Sequence, residues 1–256
     1  MAKIPLVQSI NRALDILELL SREEKLGITQ IGQAVELDKT TVFRIVQTLC
    51  VRGYIRQDPS NQMYSNTLKL FQMGAGIVDR RRILGKARPH LEALAISTRE
   101  TVNLAVIDGG NIVYVDKIES TEVIKADLGV GKSYPAYATS LGKSILALLG
   151  ENELERLYRG DVFSAFTQHT VKNLDELKKQ LKKVRAKGYA SDDEELVTGL
   201  SCVAAAIRDF QGKPVAAVSI AFPSYRVLAD SPERSRMAEL VQMTARSISI
   251  ELGFRE

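Results

Sequence analysis

Ile28-Thr29-Gln30-Ile31-Gly32-Gln33-Ala34-Val35, followed by Glu36-Leu37 and then by Asp38-Lys39-Thr40-Thr41-Val42-Phe43-Arg44-Ile45-Val46-Gln47-Thr48-Leu49, reads as two short amphipathic helices separated by a tight break. In the second, Val42, Ile45, Val46 and Leu49 recur at i, i+3, i+4 and i+7, the spacing that lays one apolar stripe on a core. Lys39, Thr40, Phe43, Arg44 and Gln47 then point outward. Long donors and hydroxyls on one helix face suit phosphates and the base edges of a DNA major groove, which is wide enough to admit a helix. An ordinary surface helix is also polar on its wet side, so the flanking segments decide between the two.

Upstream, Ser9 to Leu20 carries Ile10, Ala13, Leu14, Leu17 and Leu20 on one stripe, which predicts a third helix completing a small core. Downstream, Gly53 to Gln57 and Gln62 to Ser65 read as short strands around Asp58-Pro59-Ser60-Asn61, whose residue types favour a turn. Three helices and a hairpin in that order make a winged helix-turn-helix. Its candidate DNA contacts are Arg12, Thr29, Lys39, Thr40, Thr41, Phe43, Arg44, Gln47 and Arg56.

With 256 residues, 45% hydrophobic and 26% charged, the chain has material for such a head of about 65 residues and one further domain of the usual ~100 to 200 residues. No run approaches the ~18 apolar residues of a membrane span, and the N-terminus shows no signal-peptide pattern. A cytoplasmic protein with no membrane partner is expected. Cys50 and Cys202 fall in separate domains, which suits a reducing compartment rather than a disulfide. A net charge of +4 is too modest to establish nucleic-acid binding, but Lys39, Arg44, Arg52 and Arg56 sit where cations would displace counterions from a duplex. Lys69, Arg80, Arg81, Arg82, Lys86 and Arg88 follow the hairpin, opposed by Asp79 alone. A solvated helix face, a DNA contact or a contact between the linker helices of two subunits would each use them.

Asn66 to Arg80 has the apolar pattern of a linking helix, weakened at Gly74 and Gly76 by about 1 kcal/mol each, so a hinge belongs there. From Ile83 the pattern becomes mixed. A helix over Leu84 to Thr98 precedes strands at Thr101 to Ile107 and Ile112 to Lys117, joined by the turn Asp108-Gly109-Gly110-Asn111. A strand at Val123 to Leu128, a loop over Gly129 to Ala138 and a helix from Leu141 to Leu149 follow. Helices around Glu151 to Arg159 and Asn173 to Lys187 lead to strands at Cys202 to Arg208 and Val215 to Ala221. The last helix runs to Leu252, with Ser231 as N-cap and Pro232 as its first residue.

An antiparallel sheet with helices packed on it makes a cradle for a small ligand. Asp192-Asp193-Glu194-Glu195 precedes Gly199-Leu200-Ser201-Cys202, bringing acids and a soft thiol together; a solvated loop and a small buried hydrophobe would look the same. Thr139-Ser140-Leu141-Gly142 opens a helix whose free N–H groups can meet a carboxylate, or Thr139 and Ser140 are simply caps. Gly131-Lys132-Ser133 and Gly142-Lys143-Ser144 mimic the end of a P-loop, but Ala126 and Tyr137 stand where its first glycine is required. His90 and His169 have no cysteine at zinc-ligand spacing, and no histidine lies near Cys202 in sequence to serve a nucleophile. No metal, cofactor or catalytic residue is expected.

Several of these segments resemble the IclR-type transcriptional regulators, over essentially the whole chain. Gln8 to Leu14, Asp38 to Arg44, and Tyr64-Ser65 with Leu68 to Gly74 resemble that family's head and linker. Gly188-Tyr189-Ala190-Ser191-Asp192-Asp193-Glu194-Glu195, continuing at Gly199 to Ile207, is close to its signature, and Tyr134 to Lys143 resembles a second recurrent block. The resemblance implies a GAF-like effector domain, a homodimer or homotetramer on a palindromic double-stranded operator, and a small organic acid as effector. Ser140 and Leu141 would offer backbone N–H groups to the acid beside Asp192 and Cys202, with Asn103, Leu128 and Ser219 completing the candidate effector residues. Some relatives have Gly-Ala where this chain has Ser140-Leu141, which changes the shape of the pocket wall. Leu68 to Phe71 and Ser219 to Ser224 look most like members governing sugar-acid or aromatic-acid breakdown.

The expected architecture is therefore α+β: a winged helix-turn-helix over 1–67, a linker helix over 68–82 and a GAF-like antiparallel-sheet effector domain over 83–256. The expected function is a transcriptional regulator, a repressor before an activator, whose operator binding is controlled by a small organic acid. A thiol-dependent enzyme with an accessory DNA-binding head, and an architectural DNA binder blind to ligands, are the rivals.

Overall fold

The computed structural model describes residues 6–79, 83–122, 129–160 and 163–255, and the chain divides into two units, Met1–Arg80 and Arg81–Glu256. In the first, α1 (Gln8–Arg22), α2 (Ile28–Ala34) and α3 (Lys39–Val51) are followed by β1 (Ile55–Gln57), β2 (Tyr64–Asn66) and α4 (Lys69–Asp79). Ile16, Leu20, Ile31, Val42, Val46, Leu49, Ile55 and Tyr64 form the core of this head. The break between α2 and α3 is tight because Gly32 allows it: a Cβ there would lie 2.8 Å from the carbonyl oxygen of Leu37. Asp38 caps α3, accepting from the N–H of Thr41 at 2.9 Å.

The stripe expected on α1 is rotated. Ile10 and Leu14 are 59% and 51% exposed, whereas Ile16, outside that stripe, is fully buried. The head's core is narrow, and only Ile16 and Leu20, one turn apart, reach its centre, with Ala13 and Leu17 at its margin. The first turns of α1 overhang it.

The second unit is built on a six-stranded antiparallel sheet in the order β5-β4-β3-β8-β7-β6, from β3 (Thr101–Asp108), β4 (Asn111–Ile118), β5 (Ser133–Pro135), β6 (Ala190–Asp193), β7 (Leu200–Arg208) and β8 (Pro214–Pro223). Its helices are α5 (Ile83–Thr98), α6 (Ser140–Leu146), α7 (Glu151–Leu157), α8 (Leu174–Lys187) and α9 (Pro232–Glu251). Side chains alternate between the faces of a strand. Val102, Leu104, Val203, Ala205, Val218 and Ile220 accordingly pack under α5 and α9, while Ala105, Ala204 and Ala217 face α6 and α8.

Two expectations changed here. Gly129 to Ala138 is not all loop, since Ser133–Pro135 pairs with β4 and a 3-10 turn follows at Ala136–Ala138. A strand of three residues ending in proline leaves no periodicity to read. The acidic run is not a solvated loop: Asp192 lies in β6, and both Asp192 and Glu195 are buried. The strand expected at Val123 to Leu128 lies outside the described residues.

The start of α6 is pressed onto the 3-10 turn before it, and a Cβ at Gly142 would sit 2.1 Å from the carbonyl oxygen of Ala136. Backbone cannot yield there as a flexible side chain would. Gly142→Ala is expected to cost at least the ~1 to 3 kcal/mol of overpacking, whereas Gly85→Ala, in open space on α5, gains about 0.5 to 1 kcal/mol; urea denaturation compares the two.

Candidate functional site

In the head, the candidate contacts gather around one exposed ring. Phe43 is 50% exposed on α3 and borders two grooves. One, of about 640 Å³, lies toward the hairpin and holds Thr29, Lys39 and Thr40; the other, of about 610 Å³, lies toward α1 and holds Arg12, Thr41, Arg44 and Gln47. Arg56 stands outside both, on β1, with its Nε 3.4 Å from the Ser65 hydroxyl oxygen. The Thr41 hydroxyl is already committed, donating to the cap carboxylate of Asp38 at 2.7 Å. Asp38 is thereby held below the usual carboxylate range, first by that hydroxyl and then by the Thr41 N–H, so the cap stays ionised. At the tip of the wing Asp58 is pulled down to about 2 by the Ser60 hydroxyl and N–H and by Lys25.

In the second unit, strand register assembles the other candidates. Thr101, Ala221, Cys202 and Asp192 form one row across β3, β8, β7 and β6, and Asn103, Ser219 and Ala204 form the next. All belong to the strand phase of Ala105, Ala204 and Ala217, the face that α6 covers. Asn103 donates from Nδ2 to the Ser219 hydroxyl at 3.4 Å, and its Oδ1 is buried with no partner among the described residues. At the start of α6, Thr139 caps the N–H of Gly142 at 3.0 Å, and the N–H groups of Ser140 and Leu141 make no hydrogen bond among the described residues. Leu128 lies outside them.

Asp192 and Cys202 are direct partners in the ladder. Burial pushes the Asp192 carboxyl up to about 7, with Glu195 adding to the rise and Lys143 opposing it. Burial also drives the Cys202 thiol well above its ordinary range, aided by Asp192. Such a thiol is protonated and a poor nucleophile. Cys202 packs with Ala221 and Leu200 as a small apolar residue.

Two residues at this site were passed over in the sequence. Lys143, discarded there with a false P-loop, is 2% exposed and ion-paired with Glu195, which had counted only as one acid in a run. A lysine within Leu141-Gly142-Lys143-Ser144-Ile145-Leu146 was the available signal, because an otherwise apolar short helix gives its charge no wet side. Among the described residues, no group of three or more histidines, cysteines or acids is placed to hold a metal ion, and no helix is long and apolar enough to cross a membrane.

Residues 9–59 match the IclR helix-turn-helix domain, and residues 75–250 match the bacterial transcriptional regulator IclR C-terminal domain. The chain belongs to the IclR family of transcriptional regulators. Among relatives of this IclR-family chain, the HTH-type transcriptional regulator KdgR of Dickeya chrysanthemi is 34% identical over 250 residues, covering 98% of this chain and 81% of that protein. The HTH-type transcriptional repressor AllR of Escherichia coli strain K12 is 32% identical over 249 residues, or 97% of this chain and 91% of AllR. The Thermotoga maritima IclR crystal structure superposes with a TM-score of 0.82 at 28% identity, covering 97% of this chain and all of that one. An IclR homologue of Microbacterium hydrocarbonoxydans, solved in complex with 4-hydroxybenzoate, shares the fold at a TM-score of 0.80 and 20% identity, covering 95% of this chain and 98% of that one. The family and the relatives KdgR and AllR are transcriptional regulators, not enzymes, and the Thermotoga structure shares the α+β architecture.

Folded Asp192 keeps a proton that the unfolded chain, at the ordinary value of 3.8, has already released. Stability therefore falls as pH rises from about 4 to about 7 and is level above that, a loss of up to about 4 kcal/mol. Asp192→Asn removes the penalty: its gain in melting temperature over wild type is expected to be small near pH 4 and to widen to a plateau near pH 8.

Proposed function

We propose that this regulator is a cytoplasmic homo-oligomeric repressor whose heads hold the half-sites of a palindromic operator and whose second unit binds a small organic acid that alters that hold. The observation that carries the acid reading is the single sheet face, under the start of α6, on which Asn103, Ser219, Cys202 and Asp192 stand together. The unpaired N–H groups of Ser140 and Leu141 suit a carboxylate, and the Asn103 Oδ1 and the Asp192 carboxyl suit the donors of a hydroxylated or phenolic body. Sugar acids and aromatic acids both fit that description, and the complex of the Microbacterium homologue gives the aromatic class a precedent in the fold.

Oligomerisation is supported by apolar surface. Leu6, Val7, Ile10 and Leu14 at the start of α1, and Leu68, Phe71 and Met73 around the start of α4, are each more than half exposed. A second copy of the head would cover them, and two-fold symmetry would set two α3 helices on successive half-sites. On this reading residues 1–67 are the DNA-binding domain, 68–82 the linker and 83–256 the effector domain, with acid binding biasing how the linkers hold the heads apart. Coupling of this kind is typically worth ~1 to 3 kcal/mol.

Arg44→Ala is expected to weaken operator binding by about 1 to 3 kcal/mol, tenfold or more, with acid affinity unchanged; gel shift and calorimetry read the two separately. Asp192→Ala should do the converse, abolishing the response to acid while the operator is held as tightly as before. A thermal-shift screen of sugar and aromatic acids supplies the ligand, and a protein whose operator no acid affects would leave the architectural rival standing.

A further inference from the structure

All seven residues of α6, Ser140–Leu146, are buried, and one of them is a lysine. Burying an ammonium is costly unless its hydrogen bonds are met, and an apolar side chain of similar length commonly serves stability as well or better. Lys143 nevertheless finds two partners. Its Nζ is ion-paired with Glu195 and donates to Gln180 Oε1 on α8 at 3.1 Å.

Glu195 leads on from there to the effector site. It lies in the turn after β6, where its N–H donates to Asp192 Oδ1 at 2.7 Å and its carbonyl accepts from the Thr170 hydroxyl at 2.6 Å. The neighbouring Glu194, held at a φ of 60°, accepts through its carbonyl from the Thr167 hydroxyl at 2.6 Å. The turn is thus pinned from outside by two threonines and from inside by one lysine. Asp192 commits Oδ1 to this turn, and its Oδ2 makes no hydrogen bond among the described residues.

We infer that Lys143 is a positioning residue of the effector site: by holding Glu195 it fixes the N–H that orients the Asp192 carboxyl, leaving Oδ2 toward the ligand without touching the ligand itself. The inference rests on the effector reading above. Lys143 also balances charge. The groups influencing Asp192 are Glu195, Asp193 and Lys143, with the Cys202 thiol opposite it in the ladder and the buried Tyr114 phenol of β4 interacting with both, and Asp193 is separately paired with Arg234 at 2.5 Å. Without Lys143, Glu195 would lose the cation that opposes its burial, where an acid must approach.

The test uses the full-length protein free of ligand. In Lys143→Met, hydrogen exchange at the Glu195 amide should quicken at least tenfold while core amides of β3 and α9 keep their rates, and the Asp192 carboxyl, followed by carbon NMR, should titrate at least half a unit higher. Should the single variant fold poorly, Lys143→Met/Glu195→Leu replaces the pair with apolar side chains and should show the same fast exchange at position 195. Unchanged exchange at position 195 in whichever variant folds overturns the inference. Gluconate and benzoate, as probe sugar and aromatic acids in an operator-release assay, separate it from the effector reading. Release lost in Asp192→Ala but intact in the Lys143 variants refutes Lys143 alone; release intact in Asp192→Ala refutes the site.

Discussion

Alternation along β3, β7 and β8 is the constraint on which the second unit depends. Every other residue is claimed by the thick apolar layer under α5 and α9, so the opposite face must be furnished by what remains. Between Ile107 and Leu200 at the strand ends, the remaining positions include the small or polar Thr101, Asn103, Ala105, Cys202, Ala204, Ala217, Ser219 and Ala221. Small side chains let a short helix come down close on the sheet, and the polar ones stay near its start. Shifting β3 by a single residue would drive Asn103 into the hydrophobic layer and expel Val102, and the same slip of β8 would exchange Ser219 and Ile220. Packing and site are therefore fixed by the same register.

The head obeys a different rule. Its core is a few residues deep, so the helix proposed to face DNA is held by little more than Val42, Val46 and Leu49, its aspartate cap and the glycine that lets the preceding turn approach. A lightly built module of this kind gains from a partner, and its exposed apolar residues lie on α1 and α4 rather than among the donors of α3, apart from Phe43 and Val51. The surface proposed to meet nucleic acid and the surface proposed to meet another subunit meet only on α1, which gives Arg12 to the groove beside α3 and Ile10 and Leu14 to the apolar surface.

How much of this was legible follows from the range of each interaction. The inward stripe of α3 is local, repeating every three or four residues, and it reads directly from Val42, Val46 and Leu49. On α1 the same periodicity misled, because Ile10 and Leu14 continue a stripe beyond the end of the core it serves. The acids of β6 could not be read locally at all: four in succession look solvated, and only pairing with β7, set by residues some ten positions away, buries Asp192 opposite Cys202. Lys143 was hidden for the same reason, since its partner lies fifty-two residues further along the chain.

The half-exposed ring of Phe43 has a consequence of its own. Between two grooves lined with donors it offers only bulk, and in the major groove the one base edge that answers bulk is the 5-methyl group of thymine. Set against a duplex as proposed, this position would register the presence of a methyl group rather than a pattern of polar atoms. Uracil in place of thymine at that step would then be felt by the protein although every Watson–Crick hydrogen bond is unchanged.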